Sequence, residues 1–181
     1  IGLSFSMLTE KMGAQQVIGI DPVEARREKA LEIGATNTVD PAKDNMYEAI
    51  EDLTGGEGID IVVDATGDPE GFGQCLKIVK RWGTFVSFSL TGSKGKIAKF
   101  PHQEFMFKAA TIIPTQVAAT SQPTKDIREM IALKERGWAD PGVLKSHNVD
   151  FGDVQKAYDM YANHDDGVIK VVMELNGGGK V

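Results

Sequence analysis

The chain of 181 residues is long enough to bury a sizeable hydrophobic core, and its 41% hydrophobic and 25% charged residues are typical of a globular protein. A formal net charge of −6 argues against a nucleic-acid partner, because phosphate binding requires concentrated lysine and arginine. The single cysteine excludes an internal disulfide and fits a reducing, cytoplasmic location, and no apolar run approaches the roughly 20 residues that span a membrane.

Short β-branched segments alternate with segments of helical period through the first half of the chain. The segment at 59–66 is nearly all apolar, which is typical of a strand covered on both faces. We predict strands at residues 17–20, 35–40, 59–66 and 84–90, and helices at residues 3–12, from Pro22 to Gly34, from Met46 to Gly55 and from Phe72 to Gly83. This alternation predicts an α/β fold with a doubly wound, mostly parallel sheet.

The alternation stops after residue 91. The segment TGSKGKIAKFPHQEF is predicted to be a polar connection with a short β-like centre. We predict a strand at 111–115, helices at 124–136 and 151–163, a strand at 168–175 and a flexible tail at 176–181.

Asp21 ends the β-branched segment VIGI, and spacing alone leaves two interpretations of this acid open. An acid at the carboxyl end of a strand, about 20 residues after a glycine-rich turn, can accept hydrogen bonds from the ribose of a dinucleotide. Only the last glycine of such a turn is available, as Gly2, 19 residues before Asp21. The alternative is that Asp21 is the N-cap of a helix that has Pro22 in its first turn.

The wider pattern resembles the medium-chain dehydrogenase/reductase family, in its zinc-type alcohol and polyol dehydrogenase branch. The resemblance runs from Ile1 to about Leu175 and is carried by VIGIDPVEARREKALEIGATNTVDP, GIDIVVDATGDPE, FKAATIIP and GVIKVVMEL. It implies a Rossmann coenzyme domain at residues 1–114 and a segment at residues 115–175 that returns to complete a catalytic domain. The first Rossmann strand is expected to precede Ile1 and to lie between the strands at 17–20 and 59–66, so these two strands are not expected to pair with each other.

The resemblance also implies which residues bind the coenzyme, NAD. Gly2 matches the last glycine of the pyrophosphate turn, where a missing side chain lets helix and strand pack closely, and Asp21 matches the acid that holds the ribose and selects NAD over NADP. Arg26 matches a basic residue beside the adenosine, and Lys170 one that reaches the pyrophosphate; a solvated helix charge and an edge-strand lysine are the alternatives. Thr66 and Gly67 match a turn beside the coenzyme. Phe88, Ser89 and Leu90 match the backbone near the nicotinamide, and Thr111 to Ile113 match a second contact of that kind.

Two positions depart from the family's pattern, because Ser89 and Pro114 stand where glycine is common. The family's zinc ligands would all precede Ile1, so zinc is expected only in a preceding catalytic domain, and no catalytic or metal-binding residue is predicted within this chain.

The remaining chemically active side chains are predicted to be structural. The histidines have no metal-ligand spacing and are predicted to be surface or capping residues, at His102, His147 and His164. Cys75 lies on an apolar helical stripe and is predicted to be a core residue, and Asp64 a buried, hydrogen-bonded turn residue.

The function that the resemblance implies is hydride transfer between a small-molecule alcohol and the nicotinamide, by a whole enzyme of which this chain alone is inactive. Two alternatives stay open: a zinc-independent quinone reductase, although most of those favour NADPH and Asp21 argues against it, and a non-catalytic nucleotide-sensing module. The family also implies a homodimer through a strand near residues 95–100, where Ile97 and Phe100 are apolar and lysines protect the edge.

Overall fold

The computed structural model describes residues 1–90, 97–115 and 122–175. Its helices are α1 (Gly2–Lys11), α2 (Glu24–Glu32), α3 (Met46–Thr54), α4 (Pro69–Ile78), α5 (His102–Lys108), α6 (Pro123–Glu135) and α7 (Val154–Asn163). Its strands are β1 (Ile18–Ile20), β2 (Asn37–Val39), β3 (Ile59–Asp64), β4 (Val79–Ser87), β5 (Thr111–Pro114), β6 (His147–Asp150) and β7 (Val171–Glu174). Short 3-10 turns occupy Pro141–Leu144, Phe151–Asp153 and Asp165–Gly167.

The strands of the described residues pair in parallel, which confirms the predicted α/β fold with parallel sheets. β1 pairs with β2, β3–β4–β5 form a second sheet, and β6 pairs with β7. Within these ranges β3 pairs with β4 and not with β1, as the expected strand order requires. Crossover helices of the βαβ kind account for the parallel pairing, since α2 joins β1 to β2 and α4 joins β3 to β4.

The chain divides into two compact units, each of which has its own core. The β3–β5 unit comprises Ile1–Gly2 and Lys43–Pro123, and the β1–β2 unit comprises Leu3–Ala42 and Thr124–Val181. Phe85, Leu76 and Val79 are fully buried in the first unit, where the Phe72 ring packs edge-on against Phe85 with centroids 5.0 Å apart. In the second unit the buried residues include Val39, Ala30 and Val168. The predicted domain boundary after residue 114 stays a prediction.

Local capping explains where the best-predicted helices begin and end. The Asn45 side chain accepts from the Tyr47 N–H at 3.2 Å at the start of α3, and Gly55 takes the left-handed conformation at its end, with φ of 60°. α4 begins in the same way, since Asp68 accepts from the Glu70 N–H at 3.0 Å and Pro69 fills the first helical position.

Two predicted helix boundaries are wrong. α2 begins at Glu24 with Val23 as its N-cap, so Pro22 precedes the helix and Asp21 is not its cap residue. α4 ends at Ile78 rather than at Gly83, because Val79 has extended φ and ψ and begins β4. Val79 fits the apolar spacing of the helix because it is apolar, but it belongs to β4 and is buried there.

β4 bends near its start, which explains why its extent differs from the predicted 84–90. Trp82 has a φ of 59°, and a Cβ on Gly83 would lie 2.7 Å from Val79 Cγ2, so this tight approach requires glycine. The register with β3 shifts between Ile59 and Ile61, and Ile61 is 60% exposed, so β3 is not covered along its whole length as predicted.

The second half of the chain contains two elements that the sequence pattern did not predict. α5 lies where a polar connection was expected, and β6 was not predicted at all. The predicted helix at 151–163 begins with a 3-10 turn, and the predicted strand at 168–175 is shortened to Val171–Glu174.

Several predictions concern residues that lie partly or wholly outside the described ranges. Residues 97–100 form no strand, and the rest of the predicted interface strand and the predicted tail at 176–181 lie outside the described residues. Within the described ranges, no helix is both long and apolar enough for a membrane crossing.

Candidate functional site

The carboxyl ends of β3, β4 and β5 form one edge of the larger sheet. Asp64 is level with Ser87, and Ser87 with Pro114, so the segments that leave these strands start side by side. In open parallel α/β sheets this is the edge where ligands bind.

The predicted coenzyme residues of the β3–β5 unit lie mainly in the segments that leave these strands. Thr66 and Gly67 follow β3, and Phe88, Ser89 and Leu90 follow β4. Ile113 lies one residue before the end of β5 and is 45% exposed. Thr111 is the exception, since it begins β5 and pairs with Thr84 at the other end of the ladder.

Asp64 connects the turns that follow β3 and β4. It is 3% exposed, and its Oδ1 accepts from the Thr66 N–H at 2.9 Å and from Thr66 Oγ1 at 2.7 Å. Its Oδ2 accepts from Ser89 Oγ at 2.9 Å, and its carbonyl oxygen accepts from the Phe88 and Ser89 N–H groups at 3.2 and 3.0 Å. The prediction of a buried, hydrogen-bonded turn residue is confirmed, and Ser89, which departs from the family's glycine, supplies one of the donors.

Two glycines shape the turn after β3. Gly67 has a φ of 74°, and a Cβ there would lie 3.2 Å from the Leu90 carbonyl oxygen, so the two predicted site segments approach closely. Sequence reasoning missed Gly71, where a Cβ would lie 2.7 Å from Thr66 Oγ1. Gly71 lies inside α4 but one residue before the helix predicted from Phe72, so its signal, a glycine within a helix at a cost of about 1 kcal/mol relative to alanine, is visible only once α4 is known to begin at Pro69.

Gly2, which the resemblance assigns to the pyrophosphate turn, is the first residue of α1. A Cβ on Gly2 would meet the Ala65 Cβ at 4.0 Å, which is an ordinary van der Waals contact, so the described residues do not by themselves require glycine. The expected close packing of Gly2 against a strand stays a prediction.

An aspartate stands at the end of β3 and directly after the ends of β1 and β2, and all three make the same local bond. Oδ1 accepts from the N–H two residues ahead, from Val23 for Asp21 at 2.9 Å, from Ala42 for Asp40 at 3.0 Å and from Thr66 for Asp64 at 2.9 Å. Each carboxylate thereby fixes the turn that leaves its strand.

The second oxygen distinguishes these aspartates. Oδ2 of Asp64 is bonded to Ser89, and Oδ2 of Asp40 lies 3.0 Å from the Arg27 guanidinium in a buried ion pair. Oδ2 of Asp21 lies 3.8 Å from Arg26 Nη1, beyond hydrogen-bond distance, and the Asp21 side chain is 32% exposed. Asp21 is therefore the strand-end carboxylate best able to accept a bond from a ligand.

Arg26 and Lys170, the other predicted coenzyme residues of the β1–β2 unit, have different surroundings. The Arg26 side chain is 21% exposed and is held between Asp21 and His164, so it is not a freely solvated helix charge. The backbone of Lys170 bonds to Ser146 on both sides, which fixes its position just before β7, and its side chain lies at the surface.

No metal site exists among the described residues, which contain no group of three or more histidine, cysteine or acidic side chains able to hold an ion. His164 caps α7, as predicted for the histidines, and His102 is exposed. Cys75 is half-buried, and burial raises the pKa of its thiol to about 12, with a further contribution from the Asp64 charge.

A model of the zinc-binding dehydrogenase family matches residues 1–136 of the chain. An alcohol dehydrogenase from Cupriavidus necator is 30% identical over 176 residues, which cover 96% of this chain and 46% of that protein. The chain therefore spans about half the length of the curated relatives it matches.

Solved structures share the fold. Benzyl alcohol dehydrogenase from Acinetobacter calcoaceticus superposes with a TM-score of 0.86 at 24% identity, over 96% of this chain and 46% of that one. An alcohol dehydrogenase from E. coli CFT073 complexed with NADH has a TM-score of 0.81 at 20% identity, over 97% and 49% of the two chains. A zinc-binding dehydrogenase from Sinorhizobium meliloti 1021 bound to NADP has a TM-score of 0.81 at 24% identity, over the same fractions.

Proposed function

The chain belongs to the zinc-binding dehydrogenase family, and we propose that it is the coenzyme-binding part of an NAD-dependent alcohol or polyol dehydrogenase. Its relatives are alcohol dehydrogenases, and structural neighbours hold NADH or NADP, which supports a nicotinamide dinucleotide as the ligand. Because one neighbour holds each coenzyme, the preference for NAD has to be argued from this chain's own residues.

The observation that carries the proposal is the second oxygen of Asp21. This carboxylate is fixed just after β1 by the Val23 N–H, and among the described residues no donor lies within hydrogen-bond distance of its Oδ2, since the Arg26 guanidinium is 3.8 Å away. A fixed carboxylate of this kind suits the two hydroxyls of an adenosine ribose, and its charge repels a 2′-phosphate. The donor set therefore fits NAD better than NADP.

The other predicted residues would hold the rest of the coenzyme. Gly2 and Lys170 are assigned to the pyrophosphate, and the turn after β3, with Thr66 and Gly67, to the coenzyme beside it. Phe88 to Leu90 and Thr111 to Ile113 are assigned to the nicotinamide end. A bound nicotinamide accepts a hydride from the alcohol carbon or returns it. The chain's own contribution is orientation, since Asp64 ties Thr66 to Ser89 and fixes the two turns relative to each other.

Zinc does not fit the residues described in this chain. With one cysteine and three histidines in the whole sequence, and no cluster of ligands in the described ranges, the donor set for a tetrahedral zinc site is missing. We assign any catalytic zinc of the whole protein to residues outside this chain.

The substrate and the assembly are proposals drawn from the family. A small-molecule primary or secondary alcohol is the proposed substrate, and a homodimer through the segment near residues 95–100 is the proposed assembly. Ile97 is 88% exposed, which supports an apolar contact there.

The test is the binding of NADH and NADPH to the whole protein and its Asp21→Ser variant, combined with coenzyme kinetics. Hydrogen bonds to a charged group contribute roughly 1.5–3 kcal/mol, so Asp21→Ser is expected to weaken NADH binding about 10- to 100-fold and to narrow the preference over NADPH. Asp126→Ser, which removes an exposed carboxylate from α6, is the control. It should change neither the NADH affinity nor the preference over NADPH.

Two outcomes would contradict the proposal. A wild-type protein that used NADP better than NAD would exclude the ribose role of Asp21 and favour a quinone reductase-like enzyme. A protein that bound NAD tightly but oxidised no alcohol would favour a nucleotide-sensing module.

A further inference from the structure

We propose that His164 is a positioning residue for the adenosine end of the coenzyme site, where it holds Arg26 beside Asp21 and thereby strengthens the preference for NAD. The inference rests on the proposed coenzyme site and adds a residue from the C-terminal part of the chain to it.

The Arg26 guanidinium has two neighbours on different elements. Nη2 lies 2.9 Å from His164 Nδ1, and Nη1 lies 3.8 Å from Asp21 Oδ2. Because a guanidinium can only donate, Nδ1 of His164 is the acceptor in this contact. One edge of the guanidinium is therefore used by His164, and the other faces the carboxylate proposed to bind the ribose.

The backbone of His164 has a conformation that few side chains adopt. His164 is the C-cap of α7 and has a φ of 59°. Glycine or asparagine is the usual residue at a left-handed helix end, because a larger side chain is strained there. Strain of this kind commonly marks a residue whose side chain has a function, and the bond to Arg26 is the contact that the conformation makes possible.

The turn that carries the exposed His164 packs against α2, so its backbone holds the residue near Arg26. A Cβ on Gly167 would lie 3.3 Å from the Ala25 Cβ, so the turn packs tightly on the residue before Arg26. The Asp166 carboxylate lies 3.3 Å from His147 Nε2, which ties the same turn to β6.

The position of Arg26 affects the choice between coenzymes. An arginine free to turn toward the ribose would pair strongly with a 2′-phosphate, since guanidinium and phosphate form charge-assisted, bidentate bonds. His164 occupies one edge of this guanidinium with an acceptor nitrogen and keeps the guanidinium beside Asp21. Loss of the acceptor would release the Arg26 guanidinium. The guanidinium would then either pair more closely with the Asp21 carboxylate or pair with a 2′-phosphate. Both changes move the preference toward NADP.

The experiment measures dissociation constants for NADH and NADPH on the whole protein with two substitutions at this position. His164→Gly removes the acceptor and suits the left-handed backbone. His164→Asn also suits the backbone and keeps an acceptor, because Oδ1 of asparagine stands at the same branch position as Nδ1 of histidine. We expect His164→Gly to raise the NADPH-to-NADH affinity ratio about three- to tenfold, and His164→Asn to keep it within about twofold of wild type.

A double-mutant comparison separates positioning from a general structural effect. In an Arg26→Ala background, His164→Gly should leave the affinity ratio unchanged, because the group it positions is gone. His102→Ala removes another exposed imidazole and should change nothing. The inference is overturned if His164→Gly leaves the ratio unchanged, if it shifts the ratio equally without Arg26, or if asparagine fails to restore it. If the wild type binds neither coenzyme, the proposed function itself fails and this inference fails with it.

Discussion

Replacing the three strand-end aspartates one at a time should separate turn formation from ligand binding. In Asp21→Ala, Asp40→Ala and Asp64→Ala the bond to the N–H two residues ahead is lost each time. The variants differ only in what else disappears. Asp21→Ala also removes a carboxylate that lies 3.8 Å from Arg26. Asp40→Ala also removes a buried ion pair with Arg27 at 3.0 Å. Asp64 loses two further hydrogen bonds, from Thr66 Oγ1 and Ser89 Oγ.

The expected losses of stability follow from these contacts. One partly exposed hydrogen bond contributes about 1 kcal/mol, which is the expected cost of Asp21→Ala. Asp64→Ala removes three bonds at a 3% exposed residue, and at about 1 kcal/mol each the free energy of unfolding should fall by about 3 kcal/mol. Asp40→Ala leaves the Arg27 guanidinium, whose side chain is 12% exposed, without its carboxylate, and an unpaired buried charge also costs about 3 kcal/mol or more.

Equilibrium urea unfolding of the whole protein, combined with NADH binding, measures both effects. We expect the unfolding midpoint to fall strongly for Asp40→Ala and Asp64→Ala and slightly for Asp21→Ala, with unchanged denaturant dependence. NADH affinity should fall strongly for Asp21→Ala and stay close to the wild-type value for Asp40→Ala. The reasoning is refuted if Asp21→Ala destabilises the fold as much as Asp40→Ala, since Asp21 would then be chiefly structural. If Asp64→Ala were as stable as the wild type, the free-energy cost of burying the Asp64 carboxylate would equal the stabilisation from its hydrogen bonds.

Three further predictions concern metal, assembly and the thiol. Elemental analysis of this chain after dialysis should find no stoichiometric zinc, and one zinc per chain would contradict the ligand count. Light scattering of the whole protein should show that Ile97→Pro weakens the proposed dimer, and an unaffected dimer would place the contact elsewhere. Because burial and the Asp64 charge raise the pKa of Cys75 to about 12, the thiol stays protonated near neutral pH. Alkylation of Cys75 should therefore be slow in the folded protein and fast in urea; equal rates would show that the thiol is accessible and ionised.

The elements that sequence reasoning predicted well are those with local signals. α3 has an asparagine cap and a terminal glycine, and β1 and β2 are β-branched segments bounded by turn residues. The boundary between α4 and β4 was wrong because Val79 satisfies the helical spacing while it belongs to the sheet. β6 was missed because its sequence, HNVD, has little β-propensity and depends on pairing with β7, which is a tertiary contact.

The candidate site shows the same limit. A strand-end aspartate can be recognised from the sequence, but the partner of the second oxygen, which distinguishes Asp21, Asp40 and Asp64, comes from another part of the chain. Arg27 could not be assigned to Asp40 rather than to a ligand without the fold. The contact between Arg26 and His164 joins residues 138 positions apart, so no local pattern could have indicated it.

The division of the chain into compact units is consistent with a proposed role of the C-terminal segment in the coenzyme site. β1, α2 and β2 belong to the same unit as the described residues after Pro123, and within it the turn at Asp165–Gly167 packs against α2. The proposed ribose ligand, Asp21, and the residue that positions its neighbouring arginine, His164, are thus supplied by segments far apart in the chain. The pairing of His147 with Asp166 extends the connection to β6 and thence to β7, just after Lys170. If His164 has the proposed role, a substitution in the C-terminal turn should alter coenzyme choice through contacts inside one unit, without touching the residues that follow the larger sheet.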